Sequence, residues 1–89
     1  MGMPPVLELP MSRPMERKLS DKLQDLFEER VSSLLEDGYV PVVKSSCAYF
    51  HYARLRHPNG NVVTIKGYPR LLQLIQLTNG NENYRVTIA

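Results

Sequence analysis

The chain has 89 residues, 43% of them hydrophobic and 22% charged, which is the composition of one small globular domain rather than of a disordered tail. Its one cysteine, Cys47, excludes an internal disulfide, and no Cys/His set has the spacing of a zinc site. No apolar run approaches the ~20 residues that a membrane-crossing helix needs, and the N-terminus lacks the basic start and apolar run of an export signal.

The net charge of +2 is unevenly spread. Residues 1–37 carry eight acids and five bases, whereas residues 38–89 carry one acid, Glu82, against Lys44, Arg54, Arg56, Lys66, Arg70 and Arg85. This asymmetry points to an anionic partner for the second part, unless the two parts neutralise each other across the fold. A single cysteine suits a reducing compartment, so a cytoplasmic setting is expected.

Residues 1–12 hold three of the seven prolines and no periodicity, the pattern of an extended or disordered arm. Residues 13–89 read as a single α+β domain. Met15, Leu19, Leu23, Leu26, Phe27, Val31, Leu34 and Leu35 recur at spacings of three and four, which predicts an amphipathic helix. Ser12 is placed as its N-cap, with Pro14 in the first turn. Gly38 ends it, because glycine enters the left-handed C′ conformation without penalty. Asp21, Asp25, Glu28 and Glu29 form its solvated acidic face.

The remainder predicts an antiparallel meander of four to five strands. Tyr39–Val43 reads as an edge strand, since Pro41 removes a ladder donor. Cys47–His57 reads as a long strand and Val62–Lys66 as its return, joined by a three-residue loop in which Pro58 presets φ and Gly60 supplies a positive φ. Arg70–Leu77 is compatible with a short helix started by Pro69. The Asn79-Gly80 pair favours instead a second hairpin of Leu71–Thr78 with Tyr84–Ile88. The fold class is therefore α+β, one N-terminal helix packed on the sheet.

Pairing His57 with Asn61 sets the register of the central hairpin. Leu55 then faces Val63, Ala53 faces Ile65, Arg54 faces Thr64 and Tyr52 faces Lys66. Tyr49, His51, Ala53, Leu55, Val63 and Ile65 fall on the face that suits the leucine stripe. Phe50, Tyr52, Arg54, Arg56, Val62, Thr64, Lys66 and Tyr68 fall on the other, which the helix leaves open. Rings interleaved with cations suit nucleic acid: bases stack on Phe50, Tyr52 and Tyr68, while Arg54, Arg56 and Lys66 hold phosphate. A two-stranded ribbon of this kind also suits a major groove. The same residues serve a protein partner or homodimer, and cross-strand ring pairs stabilise a sheet with no ligand at all.

Catalytic and metal-binding residues are not expected, nor is a cofactor. His51 and His57 are too far apart along one strand to share a metal; His51 reads as a hydrogen-bonded core residue and His57 as a strand-end residue. They are the only plausible general bases. Cys47 lacks an activating neighbour and reads as a half-buried small hydrophobe. In layout, "LLEDGY", "VVK", "SSC", "RHPNG" and "VVTIKGYP", spanning Leu26 to Pro69, resemble HicA-type RNA-cleaving toxins and double-stranded-RNA-binding domains. The resemblance implies a nucleic-acid partner, DNA or RNA. It does not imply cleavage, because the turn Lys44-Ser45-Ser46-Cys47 lacks the histidine that performs it in the toxins. The function expected is a small non-enzymatic binding module contacting nucleic acid. The alternative is a protein–protein module or homodimer that uses the same hairpin face or the N-terminal arm.

Overall fold

The computed structural model describes residues 12–88, with side chains from Lys18 onward. The arm expected over residues 1–12 lies outside them apart from Ser12, as does the capping role of the Ser12 hydroxyl. Helix α1 spans Ser12–Glu36 and is followed by β1 (Val40–Ser46), β2 (His51–Arg56), β3 (Val62–Tyr68), β4 (Gln73–Thr78) and β5 (Asn81–Thr87). The five strands form one antiparallel sheet in sequence order, β1-β2-β3-β4-β5. Each strand pairs with its sequence neighbour, as short connections favour.

The helix stripe explains the layering. Leu23, Phe27 and Val31, spaced four apart, are buried against Ala53, Leu55, Val63, Ile65 and Leu74. Leu26, Leu34, Tyr39, Tyr84, Val86 and Ile88 pack around this core. A helix is about 10 Å across, whereas five strands span about 19 Å. It therefore covers only the middle of one sheet face, resting on β2, β3 and β4.

The helix ends as its glycine requires. Gly38 has φ +98°. Its N–H donates to the Leu35 carbonyl at 3.1 Å, and the Tyr39 N–H donates to the Leu34 carbonyl at 3.0 Å. This is a Schellman motif, which occupies carbonyls the helix end leaves without partners. His57 ties the cap to the central hairpin. Its Nδ1 accepts from the Asn59 N–H at 3.1 Å, so Nε2 carries the proton and donates to the Asp37 carbonyl at 3.2 Å. Its ring meets Tyr39 edge-on, centroids 4.8 Å apart.

The turns follow their residues. The His57 N–H donates to the Asn61 carbonyl at 2.9 Å, closing the three-residue loop, and Gly60 has φ +98°. Asn79 and Gly80 have φ +52° and +84°, the pair of positive values that a tight I′ hairpin needs. The two turns are linked, because the Asn79 side chain accepts from the Val62 N–H and donates to the Asn61 side chain.

Several boundaries differ from the sequence expectation. β1 extends to Ser46, and the Val42 bulge beside Pro41 absorbs the missing donor. β2 begins at His51 rather than Cys47, because the Cys47 N–H donates to the Phe50 carbonyl at 3.0 Å and the chain reverses through Ala48 and Tyr49. That reversal breaks the pleat alternation. Tyr49 lies 63% exposed instead of on the helix face, and Cys47 is exposed rather than half-buried. Leu71 and Leu72 belong to a turn, not to β4: their N–H groups donate to the Tyr68 and Pro69 carbonyls, and Leu72 has φ +52°. β5 begins three residues earlier than expected, at Asn81, because the Asn79-Gly80 turn joins Thr78 directly to it, and Asn83 is the extra residue of a bulge.

Candidate nucleic-acid interface

The register of the central hairpin matches the sequence expectation pair for pair: Leu55–Val63, Arg54–Thr64, Ala53–Ile65 and Tyr52–Lys66. Parity then sorts the side chains. His51, Ala53, Leu55, Val63, Ile65 and Gly67 are buried beneath the helix. Between them, Tyr52, Lys66 and Tyr68 are half-buried on the opposite face, and Arg54 and Arg56 are exposed there.

The rings gather at one end of that face. Phe50, in the β1–β2 connection, stacks on Tyr52 with centroids 5.9 Å apart and planes 23° from parallel. It also meets Tyr68 at 5.5 Å and 51°. Beside Phe50 in the chain, Tyr49 carries the Arg70 guanidinium 4.8 Å above its ring centroid. Two cations lie further along, Arg54 and Arg56 after Tyr52 on β2, and a third, Lys66, stands beside the rings, opposite Tyr52 on β3. All six expected residues, Phe50, Tyr52, Arg54, Arg56, Lys66 and Tyr68, thus share one surface.

The outer strands add residues that sequence periodicity left unassigned. Ile75 pairs with Lys66 and with Arg85, and Leu77 pairs with Thr64 and with Glu82. Their face follows from the register of the Asn79-Gly80 turn, but the Asn83 bulge shifts that register on β5 and hides the pattern. Arg85 is not available as a free cation. Its Nε and Nη2 donate to Glu82 at 2.8 and 2.9 Å, and this pairing lowers the Glu82 carboxyl below its ordinary range. Next to Arg56, at the β1 edge, a groove is lined by Val40, Val42, Arg56, His57 and Pro58.

The acids, though not the bases, are concentrated on the helix layer. The described acids apart from Glu82 sit on or just beyond α1, on the other side of the sheet. Among the described residues, one ion pair joins helix to sheet, Lys44–Glu28 at 2.9 Å, on the helix side of β1. Arg54, Arg56, Lys66 and Arg70 have no acidic partner among the described residues. Among the described residues, Lys44–Glu28 is the one ion pair between the two halves, so the neutralisation across the fold is partial.

The helix side of the sheet explains two polar groups by packing. His51 is buried, stacked on Phe27 at 5.3 Å and 29° and hydrogen-bonded through Nδ1 to Ser46. Gly67 makes room for it, since a Cβ there would lie 3.2 Å from the His51 Cβ. Burial lowers the His51 pKa from 6.5, and the nearby Glu28 carboxylate offsets this only in part. His51 is the hydrogen-bonded core histidine its position predicts. Arg30, which sequence patterning did not single out, donates from Nε and Nη2 to the buried Gln76 side-chain oxygen at 3.0 and 2.8 Å. Its guanidinium lies 4.1 Å over the Tyr84 ring.

Among the described residues no group of three His, Cys, Asp or Glu side chains is placed to hold a metal, and no helix is long and apolar enough to cross a membrane. The described residues thus form a small α+β layer pair and leave one face of its sheet uncovered. No family model, no curated protein and no solved structure matches this chain.

Proposed function

We propose that this protein is a small non-enzymatic binding module that contacts nucleic acid through the open face of its sheet. The observation that carries the reading is the conjunction of a three-ring cluster, Phe50–Tyr52–Tyr68, with Arg54, Arg56 and Lys66 on the same face, unpaired with any described acid. Rings offer stacking surfaces and the cations neutralise phosphate. The acids of the helix layer lie behind the sheet, away from the ligand. An exposed thiol at Cys47 fits the reducing cytoplasm as the place of action.

A second reading, a protein–protein module or homodimer, draws on the exposed valines of β1, Val40 at 58% and Val42 at 53%, on an edge strand with free backbone groups. Salt separates the two. Affinity for a nucleic acid falls log-linearly with added salt, whereas an apolar dimer holds its doubled mass with no nucleic acid present. The first reading expects measurable oligonucleotide affinity at low salt that Arg54→Ala with Arg56→Ala abolishes. Affinity that survives the double substitution contradicts it.

A further inference from the structure

We infer that the nucleic acid this face takes is a single strand laid along β2, with a base in the Phe50–Tyr52–Tyr68 cluster and phosphates on Arg54, Arg56 and Lys66. The inference rests on the nucleic-acid reading above and narrows it to one class of ligand.

Sheet width decides against a duplex. A β-ribbon enters the major groove of B-DNA because two strands fit a groove about 12 Å wide. Here the β2–β3 ribbon is flanked by β1 on one side and β4 on the other, and the five strands span about 19 Å. No two-stranded ribbon stands free to enter, so an undeformed duplex meets this face at its outer phosphates. The rings would then find no base, since duplex bases are stacked within the helix. A single strand exposes its base faces and is matched by rings and cations together.

The placement along β2 sets the track. Alternate residues of a strand lie about 6.8 Å apart, so Tyr52, Arg54 and Arg56 follow one another in a line that begins at Phe50. Lys66 stands opposite Tyr52 and holds the line from β3. The far side is closed to phosphate by Glu82, whose carboxylate already engages Arg85. Ile75 and Leu77, between Lys66 or Thr64 and that ion pair, offer apolar surface without groups to read base edges. The track accommodates about four nucleotides, the low end for single-strand binders, with little sequence preference.

The test is fluorescence anisotropy with a labelled oligothymidylate, an oligouridylate, and a blunt DNA duplex of the same length. The result expected is at least tenfold tighter binding of the single strands than of the duplex. Three cations predict a slope of log affinity against log salt of about −2. Tyr52→Leu, which keeps apolar bulk in the cluster, is expected to weaken single-strand binding about 5- to 150-fold. Arg85→Ala, outside the track, is expected to leave it unchanged. Duplex binding as tight as single-strand binding overturns the inference while the nucleic-acid reading stands. So does full single-strand affinity in Tyr52→Leu alongside a loss in the exposed Arg54→Ala variant. Absence of binding to all three probes at low salt overturns the nucleic-acid reading itself.

Discussion

His51 lies stacked against Phe27, ring centroids 5.3 Å apart, and this one contact fixes which way every residue of β2 faces. With His51 under the helix, Tyr52 must point away from it, and Arg54 and Arg56 after it. A slip of one residue would bury both arginines and expose Ala53 and Leu55. The cost of placing two guanidiniums in the core makes that alternative inaccessible. The ring-and-cation face is therefore a consequence of core packing rather than a feature added to it.

The buried imidazole makes stability depend on pH. Desolvation lowers the His51 pKa from 6.5, so the unfolded chain binds the proton more tightly than the folded one. The contribution of neutral His51 is fully present above about pH 6.5, the unfolded value, and declines as pH falls below it. Denaturant melts of the wild type from pH 7.5 to 5 are expected to show a falling midpoint. His51→Gln is expected to flatten that profile over the same range, whatever it does to stability at pH 7.5.

Two glycines with the same φ separate strain from crowding. Gly38 and Gly60 both have φ +98°. An added Cβ at Gly60 meets nothing within 4 Å, whereas at Gly38 it lies 3.2 Å from His57 Nε2. Gly60→Ala is expected to cost about 1–2 kcal/mol from the left-handed conformation alone. Gly38→Ala is expected to cost more, because it also displaces the imidazole that donates to the Asp37 carbonyl. Chemical denaturation of the two variants side by side measures the difference, and equal losses would show that His57 yields freely.

Much of this is legible in the sequence, and the exceptions have physical causes. The four-residue spacing of Leu23, Phe27 and Val31, the stop at Gly38 and the His57–Asn61 pairing define the helix, its end and the face of each central residue. These are local rules with strong geometric consequences. Strand alternation puts Tyr49 on the helix face, because the tight reversal at Ala48–Tyr49 carries no distinctive glycine or proline. Leu71 and Leu72 have strand-forming neighbours, but Pro69 starts a turn that only Leu72 at φ +52° completes. The Arg30–Gln76 pair joins residues 46 apart in sequence, and no periodicity reports such a contact. Alternation puts Phe50, Tyr52 and Tyr68 on the open face, but their mutual packing depends on the reversal that brings Phe50 back over the sheet.

The Arg30–Gln76 pair is itself open to test. The Gln76 side-chain oxygen is buried and accepts both described hydrogen bonds from Arg30. Arg30→Ala leaves that oxygen without its donor and is expected to cost about 1–3 kcal/mol. Arg30→Met combined with Gln76→Leu removes both polar partners and is expected to cost less than the single Arg30→Ala change. A double-mutant cycle by thermal or urea unfolding gives the coupling, and additive losses would contradict the pairing.

Arg54 and Arg56 are exposed and make no described ion pair. Replacing either with alanine is expected to change stability by no more than about 0.5 kcal/mol. Phe27→Ala, in contrast, empties the centre of the core and is expected to cost about 3–5 kcal/mol, a large part of what a domain of this size possesses. Thermal melts distinguish the two classes, and a severe loss in Arg54→Ala would mean that the arginine serves the fold.

The most direct measurement is a backbone amide shift map of the protein titrated with a short oligothymidylate. The account predicts perturbations concentrated at Phe50–Arg56 and Val62–Tyr68, with the amides of Lys18–Glu36 on the opposite layer unmoved. Perturbations centred on α1 or on the valines of β1, with the ring cluster silent, would contradict it.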